Sequence, residues 1–175
     1  GQEACKSNTT GFYNIGVGHE TLKMNETASY NIAIGNEAMK VSTTSERCVA
    51  IGAYAMDAAT TANWSVAIGY EALTNQTTGN YNIAIGYQAL EDSTTAADCV
   101  AVGLRALEEN NASNLVAVGN YALEENTTGE KNCALGRSAL SANTTGANNT
   151  AMGYNALTTQ TTANYKTAYG YSALK

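Results

Sequence analysis

The stretch "TTGNYNIAIGYQAL", Thr77 to Leu90, recurs along the whole chain with few changes. It reads "TTANWSVAIGYEAL" one repeat earlier and "TTANYKTAYGYSAL" at the C-terminal end. Within it, "YNIAIG" alternates β-branched and small residues with a period of two, which is typical of a β-strand. The Thr, Gly and Asn residues before it have turn chemistry. The sequence therefore predicts a short strand and its turns, repeated many times.

A column of regularly spaced glycines sets the length of the repeat. Successive glycines are seventeen residues apart, except for a step of sixteen between Gly103 and Gly119. Two helices and two turns do not fit in so few residues, so we predict an all-β fold: a single parallel β-solenoid (β-roll) of about ten 17-residue coils. One repeat domain covers residues 1–175, with a half coil at 1–6 and then ten coils to 175. At ~4.8 Å per coil the rod would be roughly 48 Å long. The column consists of Gly18, Gly35, Gly52, Gly69, Gly86, Gly103, Gly119, Gly136, Gly153 and Gly170.

Each coil contains a small residue in the middle of its strand, such as Ala84 between Ile83 and Ile85. The following "YEAL" is predicted to be a second short extended segment, and we expect about three aliphatic side chains per coil to point inward. A strand that is apolar on both faces is typical of burial on both faces. The alanine side is then either a contact with another subunit or the place where two walls of the coil approach each other.

Composition and charge disfavour several classes of function. Only 14% of the residues are charged and the net charge is −6, so the chain has no basic surface for nucleic acid. No apolar run approaches the ~20 residues of a membrane-spanning helix, and no signal-peptide pattern begins the chain. The single histidine, His19, and four cysteines without a C-x-x-C spacing disfavour hydrolytic triads and zinc sites. Glu37 and Glu71 recur without a partner placed for acid–base work, so we predict a non-enzymatic protein without a cofactor.

The segments "SVAIGYEAL", "VAIGAYAM" and "VAVGNYAL" resemble the head repeats of trimeric autotransporter adhesins. The "TTGxYNxAxGYxAL" pattern is more similar still to repeats of phage tail-fibre and other surface-fibre proteins. The resemblance covers essentially the whole chain and implies a parallel β-roll, often trimeric, in an extracellular or virion-surface rod. The repeat here is longer than the adhesin repeat, and the chain has no heptad stalk, membrane anchor or C-terminal folding domain. The shared motif is structural, so the resemblance implies no catalytic residue.

Two features of the turns are candidate sites of modification or binding. Thr pairs recur in almost every coil and would stack into hydroxyl ladders, as in ice-binding solenoids, although neighbouring threonines in a turn point in different directions. The turns also carry eight N-x-[ST] sequons, which are N-glycan acceptors in a eukaryotic secreted protein and otherwise simply good turn residues. The sequons begin at Asn8, Asn25, Asn63, Asn75, Asn111, Asn126, Asn143 and Asn148.

An acidic corner recurs in three consecutive coils. Carboxylates stacked ~4.8 Å apart repel, so a hard cation such as Ca²⁺ is one candidate partner, and a solvated face that deters aggregation is the alternative. The residues are Glu91, Asp92, Glu108, Glu109, Glu124 and Glu125.

The cysteines suggest one covalent contact between chains. Cys48 and Cys99 share a column three coils apart, roughly 14 Å, which is too far for a disulfide within one straight rod. A second chain shifted by three coils would bring them together, so an intermolecular disulfide is one hypothesis. Cys5 and Cys133 occupy aliphatic columns and are expected to be small core residues.

Aromatic residues form two partial columns that flank the strand. They either stack on a surface glycan or pack between neighbouring coils without a ligand. Together these features lead us to expect a subunit of an extracellular fibre that assembles with copies of itself, end to end, through open solenoid edges. Its alternatives are an adhesin or tail-fibre segment that binds a glycan, and an ice-binding solenoid. The rings are Tyr13, Tyr30, Trp64, Tyr81 and Tyr165 before the column glycine, and Tyr70, Tyr87, Tyr154 and Tyr171 after it.

Overall fold

The computed structural model describes all 175 residues and contains one parallel sheet of ten strands and no helix. The strands follow one another in chain order, so each coil lies on the one before it. The predicted parallel β-solenoid of roughly 17-residue coils is confirmed. Each strand has three residues: β1 Ile15–Val17, β2 Ile32–Ile34, β3 Val49–Ile51, β4 Val66–Ile68, β5 Ile83–Ile85, β6 Val100–Val102, β7 Val116–Val118, β8 Cys133–Leu135, β9 Thr150–Met152 and β10 Thr167–Tyr169.

Neighbouring coils pair residue by residue in one register. Ile83 lies beside Val100 and Ala84 beside Ala101, and the same pairing holds along the whole sheet. The ladder continues beyond the strands, because only 18 of the 106 backbone hydrogen bonds lie within strands. The bond from Leu73 N–H to the Ala89 carbonyl, 3.0 Å long, is one of many in the turns that join consecutive coils. Every coil is therefore held by its neighbours along most of its length.

The column glycines are required where consecutive coils come closest. All ten have φ between 120° and 142°, a conformation that L side chains rarely adopt. A Cβ on Gly103 would also lie 2.6 Å from the carbonyl carbon of Gly119 in the next coil. Both constraints act on every coil that has a following neighbour, so glycine recurs with the period of the solenoid.

The coil turns its corners with left-handed residues that are not glycine. Thirty-two such residues have φ between 49° and 64°, three in a typical coil, for example Glu71, Leu73 and Tyr81. The left-handed conformation costs roughly 1–2 kcal/mol for an L residue, so it persists only where neighbouring coils hold it. The prediction of a second extended segment at "YEAL" is wrong, because two of its four residues are left-handed and the segment is a series of turns.

The interior is lined by small side chains and one long one per coil. The strand alanines point inward and are fully buried from Ala33 to Ala151, which supports the interpretation that they let two walls approach each other. The leucine column, which contains Leu22, and a second alanine column, which contains Ala38, supply most of the rest of the core. The flanking Ile and Val side chains of the strands point outward, so the alternative that the alanine side contacts another subunit is wrong.

Buried asparagines connect the strand to the opposite wall. The Asn82 amide donates to the Ala96 carbonyl at 2.7 Å, and its Oδ1 accepts from the Cys99 N–H at 3.0 Å in the next coil. Asn31, Asn132 and Asn149 repeat this arrangement. Because both ends of the side chain are satisfied, these polar groups are buried without an unpaired donor or acceptor.

The sixteen-residue coil lacks one residue of the turn that elsewhere holds the Thr pair. Asn111 compensates with its side chain. Its Oδ1 accepts from the Thr94 N–H at 2.9 Å and from the Thr94 hydroxyl at 2.8 Å. In neighbouring coils a backbone carbonyl fills this role, as for the Thr77 N–H and the Thr94 carbonyl. A side-chain amide thus replaces the missing peptide group, and the register continues unchanged.

The glycine contact can be tested by comparing Gly103→Ala with Gly170→Ala. A Cβ on Gly170 would meet nothing within 4 Å, so that variant reports the left-handed strain, about 1–3 kcal/mol. Gly103→Ala adds a clash with the next coil. We therefore expect its free energy of unfolding, measured by urea denaturation, to fall by a further ~1–3 kcal/mol or more. Equal losses of unfolding free energy in the two variants would show that the close approach of coils at Gly103 does not affect stability.

Candidate functional site

The outward-pointing residues of the ten strands form a continuous apolar strip, which we call the outer face. It consists of two side chains per strand, and none of the twenty is charged. Many are well exposed, with Ile83 at 39% and Ile85 at 37%. Single exposed aliphatic residues are ordinary, whereas a contiguous strip of this kind is a mark of an interaction surface. The outer face is the strongest candidate site on the side of the rod.

Aromatic side chains border the outer face on both sides and stack on one another. The Trp64 and Tyr81 rings are 5.2 Å apart and nearly parallel, and Tyr70 and Tyr87 are 5.4 Å apart. The Arg47 guanidinium lies between the rings of Tyr30 and Trp64, 5.2 Å and 5.8 Å from their centroids. At least one face of each of these rings is covered by a neighbouring side chain. This packing is the ligand-free alternative of the two predicted for the aromatic columns.

Cys48 and Cys99 lie inside the coil in the same column as the buried asparagines. Their thiols donate to the Ala62 and Ala112 carbonyls at 3.3 Å and 3.4 Å, as the asparagine amides do in other coils. Burial raises the pKa of each thiol to about 11. All four cysteines are free. A disulfide between chains through Cys48 and Cys99 would require the coil to open, so the structure corrects that hypothesis.

Cys133 lies on the surface instead. It occupies β8 at an outward position of the outer face and is partly exposed. The expectation that it is a small core residue is wrong, since core residues of the strand occupy the alanine column. Cys5, in contrast, occupies the leucine column and packs against the core.

The sequons fall into two groups. Asn25, Asn126 and Asn143 are fully buried, and their amides donate to backbone carbonyls of the same turn. A glycan on any of these three is incompatible with their place in the core. The other five, Asn8, Asn63, Asn75, Asn111 and Asn148, are exposed or half-exposed.

The first threonine of most pairs uses its hydroxyl to join two coils. Thr60 Oγ1 donates to the Thr77 carbonyl at 3.0 Å, and Thr77 Oγ1 donates to the Thr94 carbonyl at 3.0 Å. Thr127 and Thr144 repeat the contact at 2.9 Å and 3.0 Å. These hydroxyl protons are not free to bond to an ice surface, so the ladder stabilises the rod itself.

The six acidic residues predicted as a calcium site are not gathered at ligand distance. Arg105 balances two of them, with Glu108 at 2.8 Å and Glu124 at 3.2 Å. The one group of three metal-type side chains whose ligand atoms lie within 4.8 Å of one another is His19, Glu20 and Glu37. Glu20 and Glu37 in turn accept from Lys23 and Lys40, at 2.6 Å and 2.8 Å, and these ion pairs already neutralise both carboxylates.

Glu91 is the acidic residue whose pKa the fold raises most. Burial, followed by repulsion from Glu71, Asp92 and Glu108, raises its pKa to about 7. An acid with a raised folded-state pKa destabilises the folded protein as pH rises from its unfolded value, about 4.5, to its folded value. The free energy of unfolding therefore contains an unfavourable Glu91 contribution that is complete above pH 7.

We expect Glu91→Gln to raise the melting temperature at pH 8 and to raise it much less at pH 5, because the amide removes the buried charge. Thermal unfolding followed by circular dichroism at both pH values measures the difference. Glu125→Gln, which removes an exposed charge from the same acidic run, is the matched control and should show no comparable pH dependence. An equal rise in the melting temperature of Glu91→Gln at both pH values would contradict the raised pKa of Glu91.

Comparison with protein-family models finds no match, and neither do comparisons with curated proteins and with solved structures. The resemblance to surface-fibre and adhesin-head repeats therefore rests on the repeat motif alone. The chain also has no helix long and apolar enough to cross a membrane.

The sequence alone leaves open which side of each strand is buried, so it does not predict the outer face. One signal was available. The strand-centre column is Ala in every coil but the first, where it is Gly16, whereas its neighbours vary from Val to Cys, Thr, Met and Tyr. Interior space in a solenoid is fixed by the coil above and below, so the uniform column is the buried one.

Proposed function

We propose that the protein is a structural subunit of an extracellular fibre and that copies assemble end to end through the open edges of the solenoid. The observation that carries the proposal is that β1 and β10 each have only one neighbour in the sheet. A strand edge with unpaired N–H and C=O groups is a template for another chain. A strand of the same repeat is a partner whose groups match this edge.

The open groups of β10 follow from the ladder of the preceding coils. The Thr150 N–H donates to the Lys166 carbonyl at 2.8 Å, so the equivalent N–H of Thr167 points away from β9. At the other edge, residues 1–6 lie on the following coil as a half rung, with the Glu20 N–H donating to the Gln2 carbonyl at 2.9 Å. "GQEACK" and "GYSALK" are equivalent parts of the repeat. Because these two segments occupy the same part of the coil, pairing of β10 with β1 of a second copy requires one of them to be displaced.

A contact between two different edges of the same molecule is heterologous, and heterologous contacts that do not close into rings give open filaments. The rod shape favours a filament, because the edges lie at opposite ends of the sheet. Location outside the cell or on a virion surface is part of the proposal and is supported by the resemblance in repeat sequence. The role is mechanical: each added copy extends the ladder.

Thr167→Pro tests the end-to-end contact. Proline removes the open N–H of Thr167 and places its ring at that edge, while the bonds to β9 remain. In negative-stain electron microscopy we expect filaments of the unaltered chain and, for Thr167→Pro, rods no longer than one chain. Thr167→Val is the matched control, because it keeps the N–H and a β-branched side chain, and it should still form filaments. Single rods of the unaltered chain at high protein concentration would rule out the proposal.

A further inference from the structure

We propose that the outer face binds the outer face of a second copy, with the two rods parallel and their coils in register. This contact lies on the side of the rod and is separate from the end-to-end contact proposed above. It is formed by the apolar residues of β1 to β10, whereas the end-to-end contact is formed by backbone groups of the terminal strands.

The outer face is large enough for a specific interface. Ten strands ~4.8 Å apart make a strip about 45 Å long, and with its aromatic borders it is about 20 Å wide, or on the order of 900 Å². A standard interface buries about 800 Å² on each partner, and the largest apolar patch on an ordinary monomer is roughly 300–600 Å². A second copy of the same strip is the partner that covers its full length.

The chemistry of the strip also fits a second copy. Its twenty side chains include no charge, so two copies can approach without burying an ion. Charged side chains occur only in the bordering columns, for example Arg47, Asp98, Lys131 and Arg137, where they lie at the rim in contact with water. An apolar centre with a polar rim is the ordinary composition of an interface between proteins.

The polar residues of the outer face favour parallel rods. β1 to β7 present only Ile and Val, whereas β8 to β10 present Cys133, Thr150, Thr167 and Tyr169 among their outward residues. Fully overlapped antiparallel rods would place Thr167 on Ile15 and bury its hydroxyl without a partner, which is unfavourable. Parallel rods place Thr167 beside Tyr169 of the partner subunit, whose hydroxyl is a hydrogen-bond partner.

The aromatic borders favour the same arrangement. In parallel rods that face each other, the border before the glycine meets the border after it in the same coil. Trp64 then lies opposite Tyr70, and Tyr81 opposite Tyr87. In antiparallel rods the same rings would meet Asn114 and Asn120, or Asp98 and Leu104. Aromatic pairs are favourable beyond the area that they bury, so the parallel register is the better match.

The interface itself is tested by Ile85→Glu, which places a charge at the centre of the outer face. Sedimentation velocity of Thr167→Pro, whose end contact is blocked, should show paired rods. Ile85→Glu in the same background should show single rods with an unchanged circular dichroism spectrum. Thr78→Glu, an exposed turn position outside the face, is the matched control and should leave the pairs intact. Single rods in Thr167→Pro, which changes the outer face only at its terminal strand, would overturn the lateral contact and leave the end-to-end proposal standing.

The register is tested by cross-linking through Cys133. Cys5→Leu, which restores the residue of that column, combined with Val49→Cys leaves one reactive thiol in β3 and one in β8. The thiols of Cys48 and Cys99 are buried. Packed sheets lie ~10 Å apart, within reach of a short bis-maleimide, whereas five coils span ~24 Å.

Peptide mapping of the cross-linked dimer then distinguishes the two arrangements. Parallel rods in register join position 133 to 133 and position 49 to 49. Antiparallel rods join position 49 to 133, and this result would overturn the proposed orientation. In the Cys133→Val variant without the added cysteine, no cross-linked dimer should form.

Discussion

The close approach of consecutive coils at the glycine column is the constraint on which the rest of the structure depends. There the backbone of one coil lies against the backbone of the next, with no room for a Cβ between Gly103 and Gly119. This contact sets the register of the ladder, because a shift of one residue would bring a side chain into that space. It also explains why the period of the sequence equals the period of the structure.

The ladder in turn holds a backbone that no single coil would adopt. Three left-handed non-glycine residues in a typical coil, such as Glu71, Leu73 and Tyr81, oppose folding of an isolated repeat. Their N–H groups bond to the adjacent coil, as the Leu73 N–H does to Ala89 at 3.0 Å. Buried asparagines and threonine hydroxyls add contacts between coils. Stability is therefore a property of the stack, as in other repeat arrays, and the ends are its weakest part.

The sequence predicts the stack better than it predicts which side of each strand is buried. The glycine period, the alternation in "YNIAIG" and the turn residues are local signals, and they suffice for a parallel solenoid. Which side of the strand is buried depends on how far apart the two walls of the coil lie. Left-handed turns at Glu71 and Leu73 determine this distance, and residue propensities do not predict such turns. The sequence likewise does not show whether Cys48 and Cys99 lie inside or at an interface between chains. In the structure they replace asparagine in a buried hydrogen-bonded column.

The interior and the surface of this rod meet different requirements. Inside, the alanine and leucine columns repeat one size, and the differences within the asparagine column, such as Cys48 and Cys99, are enclosed by the coil. A contact that must select one alignment out of ten cannot use them. The differences between coils that another copy can reach lie in the surface columns, through Cys133, Thr150, Tyr169 and the interrupted aromatic borders. In the assembly that we propose, backbone edges supply affinity between copies without selecting a register, and the variable residues of the outer face supply the register.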